Sequence, residues 1–146
     1  MPPDKSYDAD EIIIISWNIE GLARNINNLD HFIHVLHPTM IFLSEPQVFA
    51  CDVRQILQPL SANFNYFLNS EDSHDETLAL DYVKAKGGTL AIWDSKYDPY
   101  IKILKAPSSS ILPIIMTIPG HMTCCHIGVY MPTSGLEAEF LDAIST

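Results

Sequence analysis

Four consecutive isoleucines, Ile12 to Ile15, followed at once by Ser16, Trp17, Asn18 and Glu20, restrict what this chain can fold into more than any other stretch. An apolar run without polar alternation is buried on both faces, and it reads as a strand in the middle of a covered sheet. The polar residues then fall at the tip of that strand, where Gly21 lets the chain turn away. Hydroxyl, indole, amide and carboxylate groups on such a tip are well placed to form a site.

The residues that follow repeat the arrangement. Asn27 and Asn28 offer an N-cap to a helix in which Leu29, Phe32, Ile33 and Leu36 recur at i, i+3, i+4 and i+7, and Pro38 ends it. MIFLS is a second apolar strand that finishes on a carboxylate, Glu45, before Pro46. Strand, helix and strand at this spacing form a βαβ unit with parallel strands and a right-handed crossover, so Asn18 and Glu45 are expected at the same sheet edge. Phe49, Val53, Ile56, Leu57 and Leu60 predict a second amphipathic helix, and further strands are expected at 65–68, 89–93, 100–104, 111–118 and 122–130. Pro113 places the strand at 111–118 on an edge or at a bulge. Residues 1–10 read as a flexible leader and 70–80 as an acidic surface loop.

At 146 residues with 47% hydrophobic content, the chain has material for one sizeable core. No run of 18 or more apolar residues and no signal peptide is present, which predicts no membrane span and an intracellular protein, nuclear or cytoplasmic. Three cysteines, two of them adjacent, do not suggest a disulfide framework. A net charge of −10 opposes unaided binding to a phosphate backbone, so a cation or a local basic surface has to intervene. Near the end, Ser134 and Glu137 form a capping box before Leu136, Phe140, Leu141 and Ile144, and the helix stops after barely two turns. The chain therefore reads as the front part, residues 11–146, of a larger domain.

ISWNIEGL, then FLSEPQ, then GGTLAIW and VYMPT, in that order, resemble the endonuclease/exonuclease/phosphatase superfamily. LNSEDSHD, KGGTLAIW, SSSILP and YMPTSG resemble stretches of the apurinic-type endonuclease domain of non-LTR retrotransposons in particular. The resemblance implies a four-layer α/β/β/α sandwich, here C-terminally truncated, that hydrolyses phosphodiesters of DNA with Mg2+, or Mn2+ in its place. It assigns Glu45 to the metal, with Glu20 as a second acid, usually an aspartate in relatives. It places Asn18 beside the metal and the scissile phosphate, and Tyr130 against the phosphate. A lone strand-end glutamate is chemically adequate, because Mg2+ commonly takes one or two carboxylates and completes its shell with water and substrate. The GD-x-N stretch and the late aspartate-histidine pair of the family do not follow Tyr130, so the isolated chain is expected to be inactive or nearly so. It is also expected to self-associate through exposed apolar surface or an unpaired strand edge.

Other groupings carry less chemistry. Asp72, Ser73 and His74 run in the wrong order for the family's ending. His31, His34 and His37 flank the apolar face of a helix and read as a surface stripe. His121, Cys124, Cys125 and His126 have the ligand types for zinc, but strand alternation divides them between two faces, and a buried strand with small cysteines is the simpler reading. Gly87 and Gly88 lack the G-K-[ST] of a phosphate loop and read as room for close packing. The alternatives to a nuclease are a non-catalytic remnant or binding scaffold, and a phosphatase of the same superfamily.

Overall fold

The computed structural model describes residues 11–60, 63–70 and 88–130. The leader, residues 71–87 with Asp72, Ser73, His74 and Gly87, and the capping box at Ser134 lie outside the described residues. The chain runs β1 (Ile14–Asn18), α1 (Ile26–Leu36), β2 (Met40–Ser44), α2 (Ala50–Ile56), β3 (Phe64–Asn69) and β4 (Thr89–Asp94). A 3-10 turn (Ser95–Tyr100) then leads into β5 (Ile101–Ile103), β6 (Ile111–Met116) and β7 (Cys124–Val129). Two sheets result, one ordered β1-β2-β4-β3 and the other β5-β6-β7.

The βαβ expectation holds: β1 and β2 are parallel neighbours, with Asn18 opposite Ser44. Period-two alternation then sorts the apolar side chains between two cores. Ile15, Trp17, Ile41, Leu43, Leu90 and Ile92 face the helices, where they meet Leu29, Ile33, Val53 and Leu57. Ile12, Ile14, Met40, Phe42, Ala91 and Trp93 face the second sheet, against Leu112, Ile114 and Met116. Helices, sheet and sheet are thus three layers among the described residues, consistent with the α/β sandwich expected.

Gly128 marks the closest approach of the sheets. A Cβ there would lie 2.5 Å from Cδ1 of the Phe42 ring, so only a hydrogen fits. The ring itself is buried between the layers.

Four details differ from expectation. Only Ile14 and Ile15 of the isoleucine run are in β1, which extends through Asn18, and β1 lies at the edge of the described sheet. Its apolar residues pack on both faces but are only half-buried, while β2 and β4 hold the centre and are almost wholly buried. Pro113, in contrast, lies in the middle strand of its sheet. Opposite β7 it occupies the non-hydrogen-bonded pair with Ile127, where no N–H is needed. Toward β5 its carbonyl accepts from Leu104 N–H at 3.0 Å but the ring returns no donor, and β5 ends at Ile103. The third difference is the start of α1, whose N-cap position is Asn25 and not Asn27 or Asn28. Finally, β7 is not a buried strand: Cys124 and Cys125 are exposed, as are Ile127 and Val129.

Candidate active site

The expected site residues follow from how two loops are anchored. After β1, Ile19 and Leu22 are 1% and 0% exposed, plugged into the helix-facing core, while Glu20 between them is exposed. After β2, Pro46 and Val48 are buried while Glu45 and Gln47 are only partly covered. Three residues of these loops stand in the left-handed region: φ is +48° at Glu20, +52° at Glu45 and +50° at Gln47. Such conformers cost roughly 1–3 kcal/mol each. Burying an Ile, Leu or Val side chain returns about 1.5–3 kcal/mol, enough to hold each one. Gly21, at φ +110°, lies beyond the left-handed region that these three occupy, where a side chain is resisted further.

The loops are also joined to each other. Ile19 N–H donates to Ser44 O at 3.0 Å, Gly21 N–H to Glu45 O at 2.9 Å and Leu22 N–H to Pro46 O at 2.8 Å. This extends the parallel β1–β2 ladder past the strand ends and sets the two glutamates on adjoining loops. Arg24 closes the outer side, its guanidinium donating to Glu20 O at 2.6 Å.

The second sheet completes the arrangement. Tyr130 N–H bonds Ser110 O at 2.9 Å, which continues the β6–β7 ladder to its end, and the Tyr130 hydroxyl donates to Glu45 Oε1. That bond, with burial and the nearby carboxylate charge, pushes the Tyr130 pKa up to about 12. The phenol is therefore a proton donor throughout the neutral range and not a base. A few residues away, Asn69 Nδ2 donates to Ser108 O at 2.8 Å and Ile111 O at 3.1 Å, and Thr89 Oγ1 bonds Ser109 O at 3.4 Å. Gly88 at φ +87° lets the chain pass close to Asn69. Stretches that resembled the family separately, around Asn69, Thr89, Ser108 and Tyr130, thus meet at one end of the sandwich.

Asn18 lies at this end, exposed, at the tip of β1. Glu45, Glu20, Asn18 and Tyr130 are consequently grouped by strand register and loop pairing, with one side-chain contact among them, Tyr130 to Glu45. Among the described residues no three His, Cys, Asp or Glu side chains form a ready cage for a metal. The zinc-type grouping on β7 is likewise not formed. A hard divalent cation such as Mg2+ still fits the donor set, since carboxylate and amide oxygens are its ligand class and one or two carboxylates suffice. Sequence reasoning did not single out Asn25, Asn69 or Gly128. The first could have been found as the asparagine next to the start of α1; the others act through contacts with residues distant in sequence.

These layers are similar in fold to solved structures of the endonuclease/exonuclease/phosphatase type. The AP endonuclease LMAP from Leishmania major superposes with a TM-score of 0.65 at 15% identity, covering 97% of this chain and 46% of its own. The endonuclease domain of TRAS1, a telomere-specific non-LTR retrotransposon, gives a TM-score of 0.58 at 13% identity over 90% of this chain and 51% of its own. D. rerio TDP2 complexed with single strand DNA product gives 0.55 at 18% identity, over 91% and 52%. This chain spans about half the length of these structures. No protein-family model matches the sequence, and no curated protein matches it. No helix among the described residues is long and apolar enough to cross a membrane.

Proposed function

We propose that this chain carries the glutamate-bearing part of a divalent-metal-dependent phosphodiesterase site acting on DNA, of the kind found in retrotransposon endonucleases. The observation that carries the reading is the Tyr130–Glu45 hydrogen bond, which joins the two sheets at the end where Asn18 also lies. Endonucleases among the solved structures of this fold, and one with a DNA product, support the substrate class.

Glu45, with Glu20 beside it, would hold Mg2+ or Mn2+, which when bound supplies positive charge to the phosphate and the leaving oxygen. Tyr130 holds Glu45 through Oε1, and Oε2 is not engaged by that bond. A phenol has one hydrogen to give, so a phosphate oxygen receives it only when Glu45 releases it. The Asn18 amide is suited to donate to a phosphate oxygen, orienting the ester without adding charge. The acidic net charge makes the cation a condition of substrate approach.

No GD-x-N stretch occurs in the 146 residues, so a group to orient and deprotonate water is lacking by this reading. General acid–base catalysis contributes roughly 10²–10⁴-fold, and nicking by the chain alone is expected to be weak by that factor. The direct test is Mn2+ titration of the 146-residue chain followed by electron paramagnetic resonance, with plasmid nicking in parallel. Binding that Glu45→Gln removes is the expected result. Absence of binding, or equal binding by the variant, overturns the proposal.

A further inference from the structure

Asn25 is the N-cap of α1, yet its side chain makes no capping bond to the helix. Asparagine is among the strongest N-cap residues, and its usual role is to accept from the N–H of the second or third helical residue. Here the amide turns the other way. Nδ2 donates to Ile19 O at 2.8 Å and to Gly21 O at 3.2 Å, the carbonyls on either side of Glu20. The backbone at Asn25, φ −111° and ψ 16°, departs from the extended conformation of a capping residue, and its own N–H also bonds Gly21 O at 3.2 Å. The first turn of α1 holds no acidic residue to compensate for the lost cap.

The β1 loop is therefore gripped from two sides. Its N–H groups at 19, 21 and 22 go to the β2 loop, and its carbonyls at 19 and 21 go to the Asn25 amide. Removing the amide leaves the ladder and the Asn25 N–H bond to Gly21 O but takes away the donor to Ile19 O, and the strained φ at Glu20 then has less to hold it. Glu45 lies across the Gly21 N–H bond, so a relaxed β1 loop also displaces Glu45.

We propose that Asn25 is a positioning residue for the site: its amide holds the Glu20 loop against the Glu45 loop so that the two carboxylates present themselves to one divalent cation. The inference rests on the metal reading above. Groups that orient a ligand without touching the metal typically change its affinity 10–100-fold.

The test uses the full 146-residue chain and Mn2+ without DNA, comparing wild type, Asn25→Asp, Asn25→Ala and Asn27→Asp. Asp caps a helix as well as Asn, so Asn25→Asp keeps the cap option and removes only the amide donor. Its added negative charge would by itself attract a cation, so weaker binding reports lost loop geometry. Asn27→Asp adds the same charge at an exposed helix position nearby. Expected are at least about 10-fold weaker Mn2+ binding in both Asn25 variants, faster amide exchange at Gly21 and Leu22, and unimpaired binding in Asn27→Asp. Wild type that binds while Asn25→Asp binds equally well, with unchanged exchange, overturns the positioning role alone. Weaker binding that only tracks global unfolding, with a depressed melting temperature and exchange raised throughout α1 and β2, also overturns it. Wild type that binds no Mn2+ overturns the metal reading and this proposal together.

Discussion

The two ends of the sandwich are built differently. At the end holding Asn18, Glu45 and Tyr130, three of the four non-glycine residues at positive φ among the described residues occur in two short loops. There the loops are joined by backbone hydrogen bonds and the sheets by polar side chains. The opposite end holds the fourth, His37 at the left-handed end of α1, and otherwise uses ordinary caps: Asp94 accepts from Lys96 N–H at 3.1 Å, capping the 3-10 turn, and Asp98 accepts from Trp93 Nε1 at 2.7 Å and Asn65 Nδ2 at 3.3 Å. A pocket of about 260 Å³ opens there between His34, His37, Lys96 and Tyr97. Three left-handed residues within two short loops are a local concentration of backbone strain, which the single left-handed helix end at His37 does not match.

Substitutions can break this contrast, and the largest effect belongs to Glu45. Glu45→Gln should abolish Mn2+ binding with little change in melting temperature, because Gln still accepts the Tyr130 hydrogen bond. Gly128→Ala comes next, driving a Cβ into the buried Phe42 ring. A loss of about 1–3 kcal/mol in urea unfolding is expected, partly restored by Phe42→Leu. Asn69→Ala leaves the Ser108 and Ile111 carbonyls without that donor. It should lower stability by about 1–2 kcal/mol and also weaken Mn2+ binding, since it loosens the sheets beside Tyr130. At the far end, Asp98→Ala should lower stability by about 1 kcal/mol and leave Mn2+ affinity unchanged. A change in affinity there would show that the ends are coupled.

The smallest effect is on pH dependence. The folded chain holds the Tyr130 proton up to about pH 12 while the unfolded chain releases it near 10. The resulting stability is fully present below pH 10 and is lost as pH rises toward 12. Tyr130→Phe should show a shallower decline across that window in thermal melts. Equal slopes would mean that the hydroxyl bond to Glu45 does not persist in solution.

Much of the frame was legible because it depends on local pattern. The i, i+4 pair Leu29 and Ile33 and the apolar runs at β2 and β4 are buried as their pattern predicts, whereas Phe32 and Leu36 of the same helical stripe are exposed. The parallel β1–β2 pair, and with it the common end for Asn18 and Glu45, followed from the strand, helix, strand spacing. The edge position of β1 and the central position of β6 were misread for one reason. Side-chain pattern reports whether the faces of a strand are covered, whereas its rank in a sheet depends on which edges find partners. The exposure of Cys124 and Cys125 is a different error, one of face coverage: small side chains permit burial without requiring it.

The sequence by itself therefore determined the elements, the two-faced burial of the first sheet and the placing of a glutamate beside an asparagine at one sheet end. Tertiary structure decided what those residues touch. Tyr130 reaches Glu45 across 85 positions of chain, Asn69 reaches Ile111 across 42, and Gly128 makes room for Phe42. Such contacts depend on the spacing and register between two sheets, and these are set by the packing of whole layers and not by local pattern. Asn25 is the intermediate case: its residue type announced a helix cap, and only the folded loop beside it turned the amide toward the site.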